Sequence, residues 1–332
     1  MTTPTSTATL LQSLRQPILR ELEQFNEYFR KQLRSHVFLL DLILRYLIRQ
    51  KGKQIRPLLV FLSAKAAGEI TERTYIGATM VELLHTATLV HDDVVDQAEV
   101  RRGMASIRAV WKNKAAVLVG DFLLARGLLI AVENHAYDLL QVTSQAVKRM
   151  SEGELRQMQR AKLLELDEQS YFDVIRDKTA SLIATCCEIG ALSAGASPEV
   201  RQHLREYGEA VGTAFQIRDD LLDFLSQPSI LGKPIGNDVQ ERKITLPLLY
   251  ALRTAPAKER RRVLKMIKRS QRNGKMFTEI QQFVQEYGGI HYANQVAEQL
   301  ITQAKAHLAT LPPSNARTAL ETFADFVLQR GA

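Results

Sequence analysis

The chain has 332 residues, of which 45% are hydrophobic and 24% are charged, and its formal net charge is +8 at pH 7. The basic residues are spread over amphipathic stretches without an aromatic stacking motif, which argues against nucleic-acid binding and favours small anionic partners. Cys186 and Cys187 are adjacent. They therefore exclude a mutual disulfide on a helix and a four-ligand zinc site, and they indicate a reduced, cytoplasmic protein.

Apolar residues recur at intervals of three and four along the chain, and the sequence has only 17 glycines and 10 prolines. This pattern predicts an all-α protein. The composition shows no break, so we predict a single domain over residues 1–332, with a disordered N-terminal tail over residues 1–8. The predicted helices span residues 9–34, 36–50, 57–67, 72–101, 112–131, 138–164, 179–194, 200–226, 244–253, 257–270, 276–286, 289–309 and 315–330.

Two stretches raise the question of membrane contact. The most apolar window, residues 115–132, contains Asp121 and Arg126, and we predict a buried helix there and no transmembrane anchor. The basic run over residues 258–272 has no acidic residue after Glu259. It suits either a solvated helix face or a weak peripheral contact with acidic lipid headgroups.

The first basic cluster lies in the segment Gly52-Lys53-Gln54-Ile55-Arg56-Pro57. Glycine and proline bracket a loop that leads into an apolar helix, and Pro57 suits the first helical turn. Lys53, Arg56 and the amides at the helix N-terminus can therefore converge on an anion. Taken alone, this cluster is a weak signal.

One acidic signature occurs twice, as Asp92-Asp93-Val94-Val95-Asp96 and as Asp219-Asp220-Leu221-Leu222-Asp223. On an α-helix, positions i, i+1 and i+4 lie within an arc of roughly 100°, so each copy presents three carboxylates on one face. Hard oxygen ligands in this number suit Mg²⁺ shared with substrate phosphates. A single copy is more often a solvated acidic face, but two copies within apolar sequence indicate a functional site.

Further candidate residues lie close to the acidic sets in the sequence. His85 precedes Asp92 by two helical turns, and Gln216 precedes Asp220 by one, although either also suits a satisfied core position. Arg101-Arg102-Gly103 follows the first set, where a helix is expected to end at glycine. The remaining candidates are Lys178 and Thr179, which open an apolar helix, and Lys233 and Lys243, which follow the second set.

In their order and spacing these residues resemble the all-trans polyprenyl diphosphate synthases, the head-to-tail prenyl elongation enzymes. The resemblance covers about residues 35–250 and rests on the following segments: Gly52-Lys53-x-x-Arg56-Pro57, His85, His91-Asp92-Asp93-Val94-Val95-Asp96, Arg101-Arg102-Gly103, Gly120-Asp121, Lys178-Thr179, Phe215-Gln216-x-x-Asp219-Asp220-x-x-Asp223, Gly232-Lys233-Pro234-x-Gly236-x-Asp238 and Lys243-x-Thr245-Leu246-Pro247. One departure is Arg242, which stands where the family commonly has glycine.

The resemblance implies the isoprenoid synthase fold, an antiparallel helical bundle around a deep central cavity, usually in a homodimer, with the two acidic helices facing each other across the cavity mouth. It also implies that isopentenyl diphosphate and an allylic prenyl diphosphate are the substrates. Mg²⁺ is the implied cofactor, as three ions when substrate is bound, with Mn²⁺ as a substitute.

The resemblance also assigns roles to individual residues. The implied metal ligands are Asp92, Asp93, Asp96, Asp219, Asp220 and Asp223. The implied isopentenyl diphosphate site comprises Gly52, Lys53, Arg56, His85 and Arg102. The implied allylic diphosphate site comprises Arg101, Lys178, Thr179, Gln216, Lys233 and Lys243. The implied catalytic group comprises Asp92, Asp93, Asp96, Lys178, Thr179, Gln216, Asp219 and Asp220, with Thr179 and Gln216 turning their dipoles toward the allylic cation.

Product length should depend on the residues that precede Asp92 on its helix, because the growing tail must lie against them. These residues are Val81, Leu84, Ala87 and Thr88. In the family, a bulky aromatic residue five positions before the first aspartate resembles a floor that stops growth at farnesyl length. Here that residue is Ala87, so we predict a long product, octaprenyl or nonaprenyl, for the side chain of a quinone.

Three alternatives stay open from the sequence. The first is a shorter-chain synthase that makes geranylgeranyl or farnesyl diphosphate. The second is a terpene cyclase, which would not need the second-substrate site that Lys53, Arg56, His85 and Arg102 suggest. The third is a non-catalytic subunit of a heteromeric synthase, although such subunits lose carboxylates and all six are present here.

Overall fold

A computed structural model describes residues 7–50, 52–225, 237–269 and 274–329, and nearly all of its regular structure is helical. The helices are α1 Thr7–Arg15, α2 Leu19–Gln32, α3 Phe38–Arg49, α4 Ile55–Ala67, α5 Glu72–Val95, α6 Ile107–Glu133, α7 Tyr137–Leu163, α8 Glu168–Ile175, α9 Ser181–Ser193, α10 Pro198–Leu225, α11 Asn237–Gln240, α12 Leu246–Thr254, α13 Ala257–Arg269, α14 Gly274–Glu286, α15 Gly289–Leu308 and α16 Asn315–Gln329. The prediction of an all-α protein is confirmed.

The remaining regular elements are short. A 3₁₀ turn at Gln16–Ile18 separates α1 from α2, and a π-helical turn at Arg176–Ala180 joins α8 to α9. Two-residue strands, β1 Val100–Arg101 and β2 Met104–Ala105, form an antiparallel hairpin. Most predicted helices match observed ones within a few residues, but the sequence analysis missed α8, the π-helical turn, α11 and the hairpin.

The chain forms two compact units, each assembled from separate stretches of sequence. The first unit comprises Met1–Val147, Ile183–Arg205 and Leu308–Thr322. The second unit comprises Lys148–Leu182, Glu206–His307 and Phe323–Ala332. The single domain over residues 1–332 stays a prediction, and the tail over residues 1–8 lies mostly outside the described residues.

In the first unit, α5 packs along α6 and also against α4. Helix α4 is mostly apolar, and every side chain from Pro57 to Ala64 is buried, as expected for a helix segment surrounded by protein. A glycine allows one of its close contacts. A Cβ atom at Gly190 of α9 would lie 2.4 Å from the carbonyl oxygen of Val60, so the backbones of α9 and α4 can approach only because this side chain is absent.

Helix α6 is the one described helix that is long and apolar enough to cross a membrane by length and composition alone. Only 39% of its most apolar 18-residue window is buried within the chain, so the predicted buried helix is only partly correct. Leu118, Leu128 and Leu129 are more than half exposed. The backbone also breaks at Lys112, where φ is 71°, which is the residue at which the sequence predicted the helix to begin.

In the second unit, α12 contacts α8 and α14. A glycine again allows two backbone segments to lie close together. A Cβ atom at Gly153 of α7 would lie 2.8 Å from the backbone nitrogen of Lys178 in the π-helical turn. The turn can therefore lie directly against α7, and this contact sets the position of the Lys178 side chain.

Candidate active site

The first acidic set lies at the C-terminal end of α5, within the first unit. Its middle carboxylate, Asp93, is only 3% exposed and accepts hydrogen bonds from Arg101 Nε at 2.8 Å and Nη2 at 2.5 Å. Asp92 is half-buried, and Asp96, which caps the helix, is exposed. The middle carboxylate is therefore held by the protein, while the outer two are accessible.

The segment Arg101-Arg102-Gly103 lies on the β1–β2 hairpin and not at a helix end, so the predicted helix over residues 72–101 is too long. Arg102 and Gly103 occupy the two turn positions with φ of 52° and 77°, the positive pair that a tight two-residue hairpin requires. Glycine adopts this conformation freely, whereas arginine there is strained. Because of this turn, the two arginines have different partners. Arg101 binds Asp93, and Arg102 contacts the loop before α4, which contains Gly52, Lys53 and Gln54.

Arg102 contacts residues on both sides of that loop. Its Nη1 donates to the carbonyl oxygen of Gln50 at 3.1 Å, and its Nη2 lies 3.5 Å from Nε2 of His85. A Cβ atom at Gly52 would lie 2.6 Å from the Arg102 guanidinium carbon, so a side chain there would displace the guanidinium from its present position. Burial, together with the positive charges of the neighbouring arginines, holds the pKa of His85 well below its usual range, and its imidazole is therefore neutral.

Arg56 lies in the first turn of α4, next to the same loop. Its Nε is buried and has no hydrogen-bond partner among the described residues. Glu82 of α5 provides a nearby negative charge: burial raises the pKa of this carboxyl, and the charges of Arg56 and Arg102 act in the opposite direction. Sequence reasoning missed Glu82, although it lies three residues before His85 and so on the same helical face.

The second acidic set lies near the end of α10, within the second unit, and its middle carboxylate is again buried. Asp220 is 4% exposed and accepts hydrogen bonds from the Tyr171 hydroxyl at 2.7 Å and from Gln216 Nε2 at 2.8 Å. Burial and the nearby Asp238 raise the pKa of Asp220 well above its usual range. Asp219 and Asp223 are half-buried. Tyr171 belongs to α8, which the sequence analysis missed.

Thr179 and Gln216 form one chain of hydrogen bonds with this set. The Thr179 hydroxyl donates to Gln216 Oε1 at 2.9 Å, and the Gln216 amide donates in turn to Asp220. The Gln216 carbonyl oxygen thus accepts one hydrogen bond from Thr179 and keeps a second lone pair, and its role toward an allylic cation stays a prediction. Through its amide nitrogen Gln216 also orients the buried carboxylate.

Lys178 lies in the π-helical turn, a distortion that often marks functional positions. Its Nζ forms an ion pair with Glu154 at 2.5 Å and donates to Gln157 at 3.3 Å. Both partners lie on α7, one and four residues after Gly153. Glu154 is a further residue that sequence reasoning missed, since nothing in its sequence neighbourhood links it to Lys178.

The loop after the second set is described only from residue 237 onward, so Lys233 lies outside the described residues. Lys243 pairs with Glu241 at 2.5 Å and lies 4.0 Å from Asp238. Burial and the charge of Asp223 raise the pKa of Asp238 to about 6. Arg242 has φ of 58°, the left-handed conformation that glycine favours, so the departure noted in the sequence carries backbone strain.

Comparison with known proteins identifies the family of this chain. The sequence model of the polyprenyl synthetase family matches residues 38–284. The chain belongs to the polyprenyl synthetase family. It is 35% identical over 321 residues to octaprenyl diphosphate synthase of Escherichia coli, covering 96% of this chain and 99% of that protein. It is 36% identical over 289 residues to the short chain isoprenyl diphosphate synthase of Methanothermobacter thermautotrophicus, covering 86% and 88%.

Solved structures agree with this assignment. A polyprenyl synthase from Caulobacter crescentus, complexed with calcium and isoprenyl diphosphate, superposes with a TM-score of 0.89 at 34% identity, covering 97% of this chain and 98% of that one. The isoprenoid synthase fold is thereby confirmed, and the chain is a prenyltransferase. The family implies isopentenyl diphosphate and an allylic diphosphate as substrates. It also implies the use of a divalent metal ion.

The donor atoms of both acidic sets fit such an ion. Each set offers outer carboxylates that are at least partly accessible, Asp92 with Asp96 and Asp219 with Asp223, and carboxylate oxygens are the ligands that hard divalent cations prefer. Each middle carboxylate is buried against protein donors. The outer four carboxylates therefore fit a divalent ion, Asp93 and Asp220 are held by hydrogen bonds from the protein, and a ligand role for any of the six stays a prediction.

The structure also contains an apolar cavity within the first unit, between α5, α6 and α7. Its volume is about 220 Å³, and Met80, Leu84, Leu123 and Leu128 are among the residues that line it. Leu84 is thus the one predicted length-determining residue placed at this cavity. Val81 and Ala87 are completely buried, and the Thr88 hydroxyl donates to the carbonyl oxygen of Leu84.

Proposed function

We propose that the chain condenses isopentenyl diphosphate with farnesyl or geranylgeranyl diphosphate in repeated cycles and releases an all-trans polyprenyl diphosphate of octaprenyl or nonaprenyl length. The observation that carries this proposal is the shared construction of the two acidic sets. In each, the middle carboxylate is buried against protein donors and the outer carboxylates are accessible. Accessible carboxylates next to a fixed, buried one favour a preorganised metal site that stabilises the charge of a departing diphosphate.

Mg²⁺, with Mn²⁺ as a substitute, would be held by Asp92 with Asp96 in the first set and by Asp219 with Asp223 in the second, and it would supply positive charge to the allylic diphosphate. In the reaction, the allylic carbon–oxygen bond breaks and its electron pair leaves with pyrophosphate. The double bond of isopentenyl diphosphate then attacks the allylic carbon, and the new cation loses a proton to the pyrophosphate. The protein needs no nucleophile or base of its own for this sequence.

We assign the basic residues of the site to different roles according to the residues around them. Lys53, Arg56 and Arg102 lie around the loop before α4 and would hold isopentenyl diphosphate, with neutral His85 beside them. Lys178 and Lys243 each have an acidic partner, so they would exchange this partner for the allylic diphosphate. Arg101 would act mainly by fixing Asp93, to which it is bound through two nitrogens.

Incubation of the purified chain with Mg²⁺, farnesyl diphosphate and radiolabelled isopentenyl diphosphate tests the function. Chromatography of the products should show elongation to long-chain polyprenyl diphosphates. A cyclic hydrocarbon would instead identify a terpene cyclase, and no product would identify a non-catalytic subunit. A product that stops at geranylgeranyl length would establish the shorter-chain alternative.

Product length is the finer part of the proposal, since relatives of both long and short product length match the chain. Support comes from Ala87, which leaves the path along α5 without an aromatic barrier, and from the apolar cavity at Leu84. Ala87→Phe should shorten the product, and Leu84→Ala should not. An unchanged product distribution with Ala87→Phe, at a melting temperature close to that of the wild type, would contradict this role.

We also propose that the enzyme is a cytoplasmic homodimer whose product becomes the side chain of a quinone. The exposed apolar residues of α6 support the dimer, because an apolar face of this kind is usually covered in solution. Light scattering of the purified chain should give twice the mass of one chain. A monomer at micromolar concentration would contradict the dimer.

A weak contact with anionic membranes is a further part of the proposal. Helix α13 exposes Lys258, Arg261, Lys265 and Lys268, although Arg262 is paired with Glu259 and Glu279. Cosedimentation with vesicles of anionic lipid should be measurable at low salt and lost at high salt. Equal recovery with neutral vesicles would exclude an electrostatic contact.

A further inference from the structure

A second cleft in the first unit lies on the outer side of the loop before α4. Its volume is about 770 Å³, and it is lined by residues of α1 and the following turn together with the loop and the hairpin. The ionisable lining residues are Arg15, Lys53 and Arg102, all of them cationic. Two neutral donors, Gln12 and Gln16, complete its polar lining.

No carboxylate is among the described residues that line this cleft, and Glu82, which interacts electrostatically with Arg102, lies outside the lining. Among the described residues, no carboxylate forms an ion pair with Arg15, Lys53 or Arg102, whereas Arg101, Arg149 and Arg156 are each paired with an aspartate. Like charges around one cleft repel each other, and a bound anion relieves that repulsion. The cleft therefore fits a group of high negative charge density such as a diphosphate.

Arg15 reaches this cleft from a well-anchored position. On either side of it along the chain, Leu14 and Ile18 are almost completely buried, so the end of α1 is fixed against the first unit. Arg15 Nη2 donates to the carbonyl oxygen of Lys53 at 2.9 Å. This bond uses one of the five guanidinium N–H groups, and it holds the loop that carries Gly52 and Lys53.

We propose that Arg15 is a further substrate-binding residue, whose guanidinium joins Lys53 and Arg102 in binding the diphosphate of isopentenyl diphosphate. This inference rests on the proposed function, because it takes Lys53 and Arg102 as part of the isopentenyl diphosphate site. It adds α1 to that site. The residue has two effects, since it supplies charge to the diphosphate and orders the loop through the Lys53 carbonyl.

Calorimetric titration with isopentenyl diphosphate alone tests the inference without turnover. Arg15→Gln should weaken binding about tenfold, the size expected for one charge-assisted contact, whereas Arg15→Lys should keep part of the affinity. Arg20→Gln serves as the matched control, since Arg20 is exposed on the adjacent α2 and lies outside this cleft. In steady-state assays, Arg15→Gln should raise KM for isopentenyl diphosphate and leave KM for the allylic substrate unchanged.

The salt dependence of isopentenyl diphosphate binding distinguishes the charge contribution of Arg15 from its effect on the order of the loop. The difference between wild type and Arg15→Gln should shrink as ionic strength rises from about 0.05 M to about 0.5 M, because screening weakens an exposed charge contact. A difference that does not change with salt would assign Arg15 to loop ordering and overturn its role as a ligand. So would an unchanged affinity of Arg15→Gln. A wild-type chain that fails to bind isopentenyl diphosphate would overturn the proposed function as well.

Discussion

The two acidic sets share one arrangement but neutralise their buried carboxylates differently. In the first, Asp93 is bound by the cation Arg101. In the second, Asp220 accepts from the neutral donors Tyr171 and Gln216, and burial together with the nearby Asp238 raises its pKa. The first set therefore carries its own positive charge. The second has a buried carboxylate with neutral donors and a raised pKa, so we expect it to be the more sensitive of the two to metal and pH.

The largest effect is expected where the two sets are alike, at their outer carboxylates. Asp92→Asn and Asp219→Asn each remove a ligand charge and should lower kcat for elongation by about 10²–10³, as for loss of one preorganised stabilising group. Initial rates at saturating substrates measure this loss. Asp173→Asn, which changes a half-buried carboxylate of α8 outside both acidic sets, is the control. A loss below tenfold at either position would show that its set is dispensable.

The second-largest expected effect is on stability, and it should differ between the buried carboxylates Asp93 and Asp220. Arg101→Met leaves Asp93 charged and unpaired and should cost about 3 kcal/mol of stability, whereas Tyr171→Phe removes one neutral donor and should cost about 1 kcal/mol. Denaturant unfolding measures both. The double variant Asp93→Asn with Arg101→Met should recover most of the loss. Equal costs for the two single variants would contradict the difference between the sets.

The sequence predicts the features that depend on residues close together in the chain, and it does not predict the contacts between residues far apart. The helix pattern and the two acidic signatures follow from local spacing. The Arg101–Asp93 pair does not, because it needs the hairpin, whose two-residue strands are too short to show alternation. The Tyr171 contact joins residues 49 positions apart, and the Lys178–Glu154 pair depends on the absent side chain of Gly153, so single-sequence patterns cannot reveal either.

The pH dependence of the protein's stability should arise from the second acidic set and the neighbouring Asp238. A carboxyl whose pKa is raised on folding favours the native state while protonated, so this contribution is lost as pH rises through the folded pKa. For Asp238 that pKa is about 6. Without metal, the melting temperature should fall as pH rises through this range, and Mg²⁺ should restore it above pH 6 more than below. Asp238→Asn should flatten the profile, and an unaltered profile would contradict the assignment.

The smallest effect concerns the loop after the second set. Arg242→Gly should relieve the left-handed strain and stabilise the protein by about 0.5–1 kcal/mol, a gain reduced by loss of the hydrogen bond from Arg242 to the Lys268 carbonyl oxygen. Thermal unfolding measures the change, with Arg242→Ala as the matched variant that loses the bond and keeps the strain. Destabilisation by glycine equal to that by alanine would show that the loop is unstrained.

Removal of divalent metal tests the central claim most directly, namely that both carboxylate sets act by holding a metal required for diphosphate departure. After chelation, the purified chain should form no elongated product from farnesyl and isopentenyl diphosphate, and added Mg²⁺ should restore the full rate. The Asp92→Asn and Asp219→Asn variants should each need more Mg²⁺ than the wild type. Elongation at an undiminished rate in the chelated enzyme would contradict the account.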